Sequence, residues 1–512
     1  SERFFSEHPY IDITVRSDGE QIFSDILKKS LETKTDFEDI EGISYRGSDG
    51  KVISTLDRDP EKDLDVFATP YKDGGPFDDL IRDNSNIDFQ AIIETNRGCP
   101  FSCSFCFWGE AGKERLKIRE FSLERIEEIL DWIGRNKIDY MYDGAANFGM
   151  YKRDIDIAKI VVDTKERLGF PERYRVCYGK NKPDRVFEVA KILSESNMAK
   201  GVTLSRQSSH AQTLKNIRRS NIKLTAYDDL QKKYAEEGIS TYTEMILGLP
   251  GETKQSFLDG LEGVLEGSRI GQLYVYHCQV FHNTQLNDPI YQHKHGIRTK
   301  EFPLQEIHGI VRKEEGVEEI EEIVISTNSM PSKDWRESAV NAWVSQTMHS
   351  LKAGYHISNY LWVEHGIKYV DFYEHIAQNK MNSETSPMIT KEINDLHNLA
   401  RKIQEGHTRA QIVPEFGDVT WEPEEASYLR FVKDTSTFYN ELFKITKDFL
   451  VESRREFNED EMREVFKYQE VLIPRFPNPG QIIFDFKYNV PEYMDSFFDN
   501  DRPKLSRTAQ TL

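Results

Sequence analysis

Three cysteines in one short loop are the residues of this chain whose types and spacing could do chemistry. Cys99, Cys103 and Cys106 follow a C-x3-C-x2-C pattern, and no further Cys appears until Cys177 and no His until His210. Three thiolates can hold three corners of an iron–sulfur cubane and leave the fourth iron open to a small molecule. An electron-carrying cluster or a structural zinc site would need a fourth Cys or His nearby. The spacing therefore favours an open cluster over a zinc loop.

The composition of the chain excludes several classes of protein. Its 512 residues are too many for one compact core, so we expect roughly two or three domains. The 87 acidic residues outnumber the 67 basic ones, giving a net charge of -20 that disfavours binding to nucleic acid. No apolar run is long enough to span a bilayer, so no membrane partner is expected. Clustered cysteines without a disulfide framework indicate a reducing, cytoplasmic setting.

Strand and helix patterns alternate through the middle of the chain, from Phe89 to about Val280. The predicted strands are Phe89–Thr95, Tyr140–Tyr142, Tyr174–Tyr178, Gly201–Ser205, Ser240–Leu247 and Leu273–Val280. Regular strand–helix repeats favour parallel strands that are joined by right-handed crossovers. We therefore predict an α/β fold with a partial (β/α)6 barrel, and a doubly wound sheet is the alternative.

The segments on either side of these repeats differ from them. Near the N-terminus we predict a strand over Ile11–Val15, a helix through Leu27, and a hairpin around Gly47–Gly50. The region after residue 285 is mostly helical by its apolar period, with Trp335–Leu351 and Tyr428–Phe449 as the clearest helices. Ile482–Phe486 is predicted to be a strand.

Polar or small residues follow several of the predicted strands, where reactive groups gather in strand–helix barrels. Asn147 lies in a glycine-rich segment after the second strand and can bind a polar group. Ser205 and Gln207 alternate onto one face, and their hydroxyl and amide groups suit a ribose or a carboxylate. His277 and Cys278 lie on opposite faces of the sixth strand. For this pair, a core histidine and an inert buried thiol are the alternatives to a catalytic role.

The cysteine loop and the turn Gly248-Leu249-Pro250-Gly251-Glu252-Thr253 together resemble the radical S-adenosylmethionine (SAM) superfamily. The resemblance implies a 4Fe-4S cluster on Cys99, Cys103 and Cys106, whose open iron is chelated by SAM. It also implies that His277 or Cys278 contacts the substrate or passes a hydrogen atom. The cofactor-binding residues that it implies are Phe105, Asn147, Ser205, Gln207, Gly248 and Gly251.

The whole chain resembles the cobalamin-binding-domain-containing branch of that superfamily, through Asp12–Glu20 and Ala146–Gly149 as well as the two motifs above. The resemblance implies a remnant of a Rossmann-like cobalamin domain with its linker over 1–88, the barrel over 89–285, and a mostly helical substrate or capping domain over 286–512. We expect the earlier strands of the cobalamin domain upstream of Ser1. The usual Asp-x-His-x-x-Gly cobalamin motif is absent, so cobalamin binding by this chain is left open.

The resemblance implies a radical mechanism. One-electron reduction of the cluster leads to homolysis of SAM, and the resulting 5′-deoxyadenosyl radical abstracts a substrate hydrogen. The expected outcome is cobalamin-dependent methylation or rearrangement of a small molecule, sugar or peptide, with flavodoxin or ferredoxin as the electron donor. The alternatives are a non-catalytic iron–sulfur binding or scaffold protein and a radical SAM enzyme of another class that does not use cobalamin. An RNA-modifying enzyme is disfavoured, because the acidic chain lacks a second cysteine set.

Overall fold

The computed structural model of the chain divides into two compact units. The first unit comprises residues 1–100 and 111–200, and the second comprises residues 101–110 and 201–512. The residues that the structure describes are 2–31, 37–109, 118–199, 201–222, 224–267, 271–310, 319–381, 383–474, 483–497 and 501–512. The predicted domain bounds at residues 88 and 285 stay a prediction.

The first unit contains a three-stranded parallel sheet. Its strands are β1 (Gln90–Ile93), β2 (Tyr140–Phe148) and β3 (Arg173–Tyr178), with β2 in the middle. The helices that alternate with these strands are Leu123–Arg135, Arg153–Leu168 and Pro183–Glu195. Each helix places an apolar stripe on the sheet, as its 3.6-residue period predicts. Three of the six predicted strands are therefore confirmed here, in the predicted order.

The N-terminal part of the first unit is a small antiparallel sheet with one helix. Ile13–Val15 pairs with Ile43–Arg46, which in turn pairs with Val52–Ser54. The helix Gly19–Ser30 buries Ile22 and Ile26 among the apolar side chains of this sheet. The predicted strand, helix and hairpin are confirmed, while their origin in a Rossmann-like domain stays a prediction. The remaining elements are Glu2–Glu7, the 3-10 turn Leu64–Val66, Pro76–Asp83 and the short pair Asn96–Arg97 with Arg119–Glu120.

The second unit contains the other three parallel strands. They are β4 (Val202–Thr203), β5 (Thr241–Leu247) and β6 (Gln272–His277), and β5 lies between the other two. The helices in this region are Ala211–Asn216, Leu224–Glu236 and Lys254–Gly267, and the 3-10 turn Phe107–Gly109 follows the cysteine loop. The predicted α/β class is thus confirmed, and the six predicted strands form two three-stranded parallel sheets, one in each unit. β4 is shorter than the predicted strand Gly201–Ser205.

The rest of the second unit is mostly helical, as predicted. The predicted helix Trp335–Leu351 is observed as Ser332–Ser345 and continues as a π-helix over Gln346–Ser350. Its helices otherwise are Pro289–His295, Tyr355–His365, Tyr369–Ala377, Pro387–Glu405, Pro423–Lys433, Thr435–Glu452, Glu459–Val471 and Val490–Asp495. Its strand pairs are Arg298–Pro303 with Ile320–Ser326, Gln411–Ile412 with Thr420–Trp421, and Asp485–Phe486 with Gln510–Thr511, and its 3-10 turns are Gln285–Asn287 and Pro414–Phe416. Within the described ranges, no helix combines the length and apolar composition that crossing a bilayer requires.

Several predicted element bounds besides that of β4 are wrong, and the predicted sixth strand, Leu273–Val280, ends at His277, so that Cys278 follows the strand. The single helix predicted over Tyr428–Phe449 is broken at Asp434, whose non-helical backbone ends one helix and whose side chain accepts from Thr437 N at the start of the next. The second predicted strand stops at Tyr142, but β2 continues through Phe148. Only Asp485–Phe486 of the predicted strand Ile482–Phe486 is a strand, and Ile482 lies outside the described residues.

The turn after β5 requires glycine at two positions. Gly248 and Gly251 have φ angles of +97° and +96°, in the left-handed region that favours glycine. A Cβ atom on Gly251 would lie 2.4 Å from Asn216 Nδ2, and that amide donates to Pro250 O at 3.0 Å. Gly251 N donates to Ser329 Oγ at 3.1 Å. The turn is therefore fixed by close packing as well as by its backbone conformation.

Gly251→Ala should lower the free energy of unfolding by about 1–3 kcal/mol, because alanine is strained at this φ and its methyl group displaces Asn216. Gly263→Ala is the matched control: Gly263 lies inside the helix Lys254–Gly267 with open space around its Cα. The control should stabilise the protein by about 0.5–1 kcal/mol. Urea unfolding measures both changes, and equal effects from the two variants would contradict the assignment.

Candidate functional site

Cys99 belongs to the first unit and faces the end of β2. Asn147 Nδ2 donates to Cys99 Sγ at 3.2 Å, and the Asn147 side chain is only 9% exposed. Burial raises the pKa of Tyr151 to about 12, and the negative charge of the Cys99 thiolate adds to that shift. Asn147 was predicted in a turn, but it lies inside β2, where its amide donates to a thiol ligand. This hydrogen bond orients and stabilises the Cys99 sulfur.

A buried carboxyl group holds the backbone beside Cys99. Asp143 is 0% exposed and accepts from Thr95 N, Thr95 Oγ1, Ala145 N and Tyr174 Oη, at 3.3, 2.8, 2.9 and 2.9 Å. Burial raises the pKa of Asp143, and its donors oppose that change. The side chain ties Thr95, two residues after the end of β1, to β2 and β3. It also accounts for the length of β2, whose register against β3 is irregular between Asp143 and Phe148.

The turn after β2 is closed by a second buried carboxyl group. Asp154 is 0% exposed and accepts from Gly149 N at 2.8 Å and from Tyr151 N at 2.9 Å. Burial raises the pKa of Asp154 to about 6. The two backbone donors are the first and the third residue after Phe148, the last residue of β2. Asp154 therefore fixes the exit of β2 without itself facing the thiol.

The chain that leads into the cysteine loop is held by the N-terminal segment. Arg97 forms ion pairs with Asp18 at 3.3 Å and with Glu20 at 2.5 Å. Arg119 pairs with Asp18 at 2.5 Å. Burial raises the pKa of Asp18, but the hydrogen bond and charge of Arg119 outweigh burial and lower it overall. The segment Asp12–Glu20, which carries the resemblance to the cobalamin branch, thus anchors the loop within the first unit.

Cys103 and Cys106 belong to the second unit and lie in a tight turn. Cys106 N donates to Cys103 O at 3.1 Å, and Cys103 is 6% exposed. Ser104, between them, is bonded on both sides: its N donates to Ile217 O at 3.0 Å, and its O accepts from Leu286 N at 2.9 Å. These two bonds fix the loop at the residue between the two cysteines. The position of both thiols therefore depends on segments far away in sequence.

The guanidinium of Arg219 lies beside these two thiols. Arg219 donates to Ser205 O at 2.7 Å and to Asn221 Oδ1 at 2.9 Å. Burial lowers the pKa of Arg219. A hydrogen bond to Cys103 opposes the decrease, as do the negative charges of Cys103, Glu244 and Cys106. A cation at this point offsets the repulsion between two thiolates. No motif or spacing in the sequence points to Arg219.

The end of β4 brings two predicted residues against β5. Ser205 Oγ donates to a carboxylate oxygen of Glu244, on β5. Gln207 has a φ of +63°. Its backbone makes two hydrogen bonds with β5: Gln207 N donates to Glu244 O at 2.8 Å, and Gln207 O accepts from Ile246 N at 2.9 Å. The left-handed φ ends the strand alternation that was predicted for Ser205 and Gln207. Among the described residues, Gln207 Oε1 is buried and has no hydrogen-bond partner.

Phe105 and Cys278 lie in one apolar cluster of the second unit. Phe105 packs against a buried group that includes Ile217, Leu249 and Cys278. Cys278 is 1% exposed, and burial raises the pKa of its thiol to about 12. The thiol is therefore protonated at neutral pH. These surroundings match the alternative of an inert buried cysteine, and a catalytic role for Cys278 stays a prediction.

His277 faces the opposite side of β6 from Cys278, as its position in the strand predicts. Its ring lies 5.2 Å from the ring of Trp335 and 6.1 Å from that of Trp343, centre to centre. Burial, together with the charge of Arg409, lowers the pKa of His277 to about 3, so the imidazole is neutral. The structure therefore places His277 against the helical region, apart from Phe105 and Cys278. Its catalytic role stays a prediction.

Glu252, in the turn after β5, serves the structure of the turn. It is 1% exposed and accepts from Ser208 Oγ and, at 2.6 Å, from Ser256 Oγ. Burial raises the pKa of Glu252. Its carboxyl group therefore links the segment after β4 to the start of the helix Lys254–Gly267.

The donor set fits an iron–sulfur cluster better than a hard cation. The three cysteines offer only sulfur, which suits soft metal clusters, and Arg219 supplies positive charge beside two of the sulfurs. Asn147 donates to the third. Among the described residues there is no group of three His, Cys, Asp or Glu side chains gathered as a metal site. The inference to a cluster therefore depends on the sulfur ligands that the cysteines offer and on the N–H groups beside those sulfurs.

Replacing Asp154 should change how stability depends on pH. Its pKa in the folded protein, about 6, exceeds the ordinary value of 3.8, so the folded state binds the proton more tightly than the unfolded state. Stability should fall by about 2 kcal/mol as pH rises from 4 to 7, and Asp154→Asn should remove that fall. Urea unfolding across this range measures the slope. The exposed Asp156→Asn is the control, and parallel curves for wild type and Asp154→Asn would contradict the prediction.

Known proteins similar to this chain share its central region. Residues 93–262 match the Radical SAM superfamily. The cobalamin-dependent radical SAM methyltransferase TokK of Streptomyces tokunonensis is 36% identical over 373 residues, which are 72% of this chain and 54% of that protein. The 2-(S-pantetheinyl)-carbapenam-3-carboxylate methyltransferase of Streptantibioticus cattleyicolor is 34% identical over 380 residues, or 73% of this chain and 54% of that protein. The chain spans about half the length of these curated relatives.

A solved structure also aligns with the chain. It is that of the radical S-adenosylmethionine methyltransferase TsrM from Kitasatospora setae with cobalamin and a 4Fe-4S cluster bound. The alignment covers 78% of each chain, with 13% sequence identity and a TM-score of 0.47. From the sequence match over residues 93–262, together with the cysteine loop and the six parallel strands, we conclude that this chain carries a domain of the radical SAM superfamily.

Proposed function

We propose that this chain is the radical SAM part of a cobalamin-dependent methyltransferase that acts on a small molecule. The observation that carries the proposal is that thiols of the cysteine loop have dedicated N–H donors. Asn147 donates to Cys99, and Arg219 lies beside Cys103 and Cys106. Donors to sulfur stabilise thiolates and tune the cluster that they hold. An accidental group of cysteines has no reason to carry them.

Cys99, Cys103 and Cys106 would hold a 4Fe-4S cluster. Cys99 and Cys103 are four residues apart, so the chain keeps their Cα atoms within about 14 Å of each other. When bound, the cluster supplies the electron that cleaves SAM into methionine and a 5′-deoxyadenosyl radical. The chain's own part is to fix the sulfurs, orient SAM and exclude water. The loop is suited to the first task, because both bonds of Ser104 hold it.

The predicted SAM contacts divide into two groups. Ser205 and Gln207 are proposed to bind SAM directly: the hydroxyl of Ser205 next to Glu244 suits a ribose, and Gln207 Oε1 is an acceptor in need of a donor. Phe105 offers an aromatic ring between two ligand cysteines. Gly248 and Gly251 are proposed to shape the adenine pocket through their backbone. Asn147 is assigned to Cys99, and we propose no contact between Asn147 and SAM.

His277 and Cys278 have a restricted catalytic role in this proposal. Burial lowers the pKa of His277 to about 3, which makes its neutral imidazole a weak base, and raises the pKa of Cys278 to about 12, which keeps the thiol protonated at neutral pH. A protonated thiol is the form that can donate a hydrogen atom, so that role for Cys278 is compatible with its pKa. The electron donor, a flavodoxin or a ferredoxin, stays a prediction.

Methyl transfer is favoured over the other outcomes by the relatives. Both curated proteins that match most of the chain are named methyltransferases, and one of them is named cobalamin-dependent. One acts on a pantetheinyl carbapenam carboxylate according to its name. We therefore propose a small molecule as the substrate class, rather than a sugar or a peptide. The alternative of a non-catalytic cluster-binding protein has no comparable support.

The test is reductive cleavage of SAM by the reconstituted chain. Wild type, supplied with iron, sulfide, SAM, dithionite and hydroxocobalamin under anaerobic conditions, should form 5′-deoxyadenosine, which mass spectrometry detects. Cys103→Ala should lose both iron and product, because one ligand of the cluster is gone. Cys177→Ala is the matched control, since Cys177 lies outside the loop and contacts Tyr142. The control should keep both.

Two results would contradict the proposal in different ways. Wild type with about four irons per chain and no 5′-deoxyadenosine would favour the non-catalytic alternative. Formation of 5′-deoxyadenosine that is the same in Cys103→Ala as in wild type would show that the loop does not hold the cluster.

A further inference from the structure

A group of nitrogen-bearing side chains lies in the helical part of the second unit. It is centred on the ring of Tyr355. Lys352 Nζ lies 3.5 Å from the ring centre, and the rings of His349 and His356 lie 4.9 and 5.1 Å from it. His349 belongs to the π-helix Gln346–Ser350, an element that is often found at functional sites. None of these residues has a role in the radical chemistry described above.

The ammonium of Lys352 has no anionic partner among the described residues. Its contact there is the face of Tyr355, and Lys352 has a left-handed φ of +67°. Burial lowers the pKa of its amine to about 8, with no nearby carboxylate to oppose that change. A partly buried cation is expensive unless it is paired. In a chain with an excess of acidic residues, a lysine in these surroundings is suited to pair with an anion that does not belong to the chain.

The neighbouring side chains add further nitrogens that lack acceptors. His349 is 1% exposed, and its Nε2 has no partner among the described residues, nor has His356 Nδ1. His349 Nδ1 pairs with Tyr373 Oη at 3.2 Å. If Nδ1 accepts from that hydroxyl, Nε2 carries the proton and is a donor. Burial and the charge of Lys352 lower the pKa of both histidines, to about 3 for His356, so both rings are neutral.

Asn359 lies beside the same ring but is bonded within the protein. It is 1% exposed, its Oδ1 accepts from Tyr369 Oη at 2.9 Å, and its side chain hydrogen-bonds to Tyr355. The buried nitrogens of this group without partners among the described residues are therefore those of His349 and His356. Native proteins leave few buried polar atoms without a partner. Two such nitrogens around one ring, with a cation and no carboxylate, are the composition of an anion site.

The group is separate from the thiols by its place along β6. Leu273 N donates to Ser350 Oγ at 3.0 Å, and Val275 N donates to Gln346 Oε1 at 2.9 Å. The π-helix therefore packs along the N-terminal half of β6, whereas reactive groups of strand–helix barrels gather at the C-terminal ends. Lys352 is half-buried, whereas His349 is 1% exposed.

We propose that Lys352, His349 and His356 form an oxyanion-binding site that takes the carboxylate or phosphate group of a small-molecule ligand. The anion would accept from the Lys352 ammonium and the histidine N–H groups, and the Tyr355 ring would form one wall. The site lies outside the radical machinery, so its ligand is a second molecule or a remote arm of a bound one. Carboxylate and phosphate share this chemistry, and the experiment separates them.

The test is protection of Lys352 from acetylation. The full reconstituted chain is treated briefly with acetic anhydride at pH 8, in chloride, phosphate or acetate at equal ionic strength, and each lysine is quantified by peptide mass spectrometry. Phosphate at four times its dissociation constant leaves about one fifth of the sites free, so it should slow modification of Lys352 about fivefold. Lys333, on the nearby helix with a side chain that is 77% exposed, is the internal control and should not change.

Each outcome decides the question. Protection of Lys352 by phosphate alone identifies a phosphate site, and protection by acetate as well identifies a carboxylate site. In a second measurement, phosphate should raise the thermal midpoint of wild type and of Lys352→Arg, but not that of Lys352→Met. Equal modification of Lys352 in all three salts, or no modification of it in the folded chain, would overturn the proposal. A rise in the midpoint of Lys352→Met equal to that of wild type would do the same.

Discussion

The contact between Arg219 and the thiols of Cys103 and Cys106 is the interaction on which the account of this protein depends. Two thiolates in one turn repel each other, and burial makes that repulsion stronger. A guanidinium beside them offsets the repulsion, and it is held in place by Ser205 O and Asn221 Oδ1. Burial lowers the pKa of Arg219, and the negative charge of the thiolates raises it. The same pair of effects makes the site suitable for an anionic cluster.

The rest of the site follows from keeping these charges in position. In the second unit, Ser104 is bonded to Ile217 O and Leu286 N, which ties the cysteine turn to the segment that precedes Arg219. In the first unit, Asn147 performs for Cys99 the task that Arg219 performs for the other two cysteines, although with a neutral amide. Asp143 and Asp154 hold the backbone on each side of Asn147. Most of the buried polar groups near the cysteines therefore position a sulfur or its donor.

The sequence predicted the parts of this arrangement that leave a local pattern. The cysteine spacing, the six parallel strands and the glycine turn after β5 are all visible within short windows, and the structure contains the strands and the turn. Arg219 could not be found in this way, because it lies outside any motif and becomes important only through a contact across the fold. Glu244 left a weak signal, as a charged residue inside a buried strand, and so did Asp143 at the predicted end of β2.

The errors of the sequence analysis have physical causes. The predicted second strand ends at Tyr142 because the glycine-containing segment after it is typical of a turn, but the buried Asp143 carboxyl accepts from the local backbone and β2 continues. The apolar residues keep one helical period from Tyr428 to Phe449. The cap at Asp434 divides the helix in two without changing that period. Strand alternation placed His277 and Cys278 on opposite faces as observed, yet it carried no information about how deeply either is buried.

The most direct measurement of the central claim is the reduction potential of the reconstituted cluster in wild type, Arg219→Lys and Arg219→Met, followed by electron paramagnetic resonance during a redox titration. Removing a positive charge beside the thiolates should make reduction harder, so Arg219→Met should have a more negative potential than wild type at equal iron content. Arg219→Lys should stay close to wild type. Equal potentials for wild type and Arg219→Met, with full iron content in both, would contradict the claim that Arg219 offsets the charge of the thiol ligands.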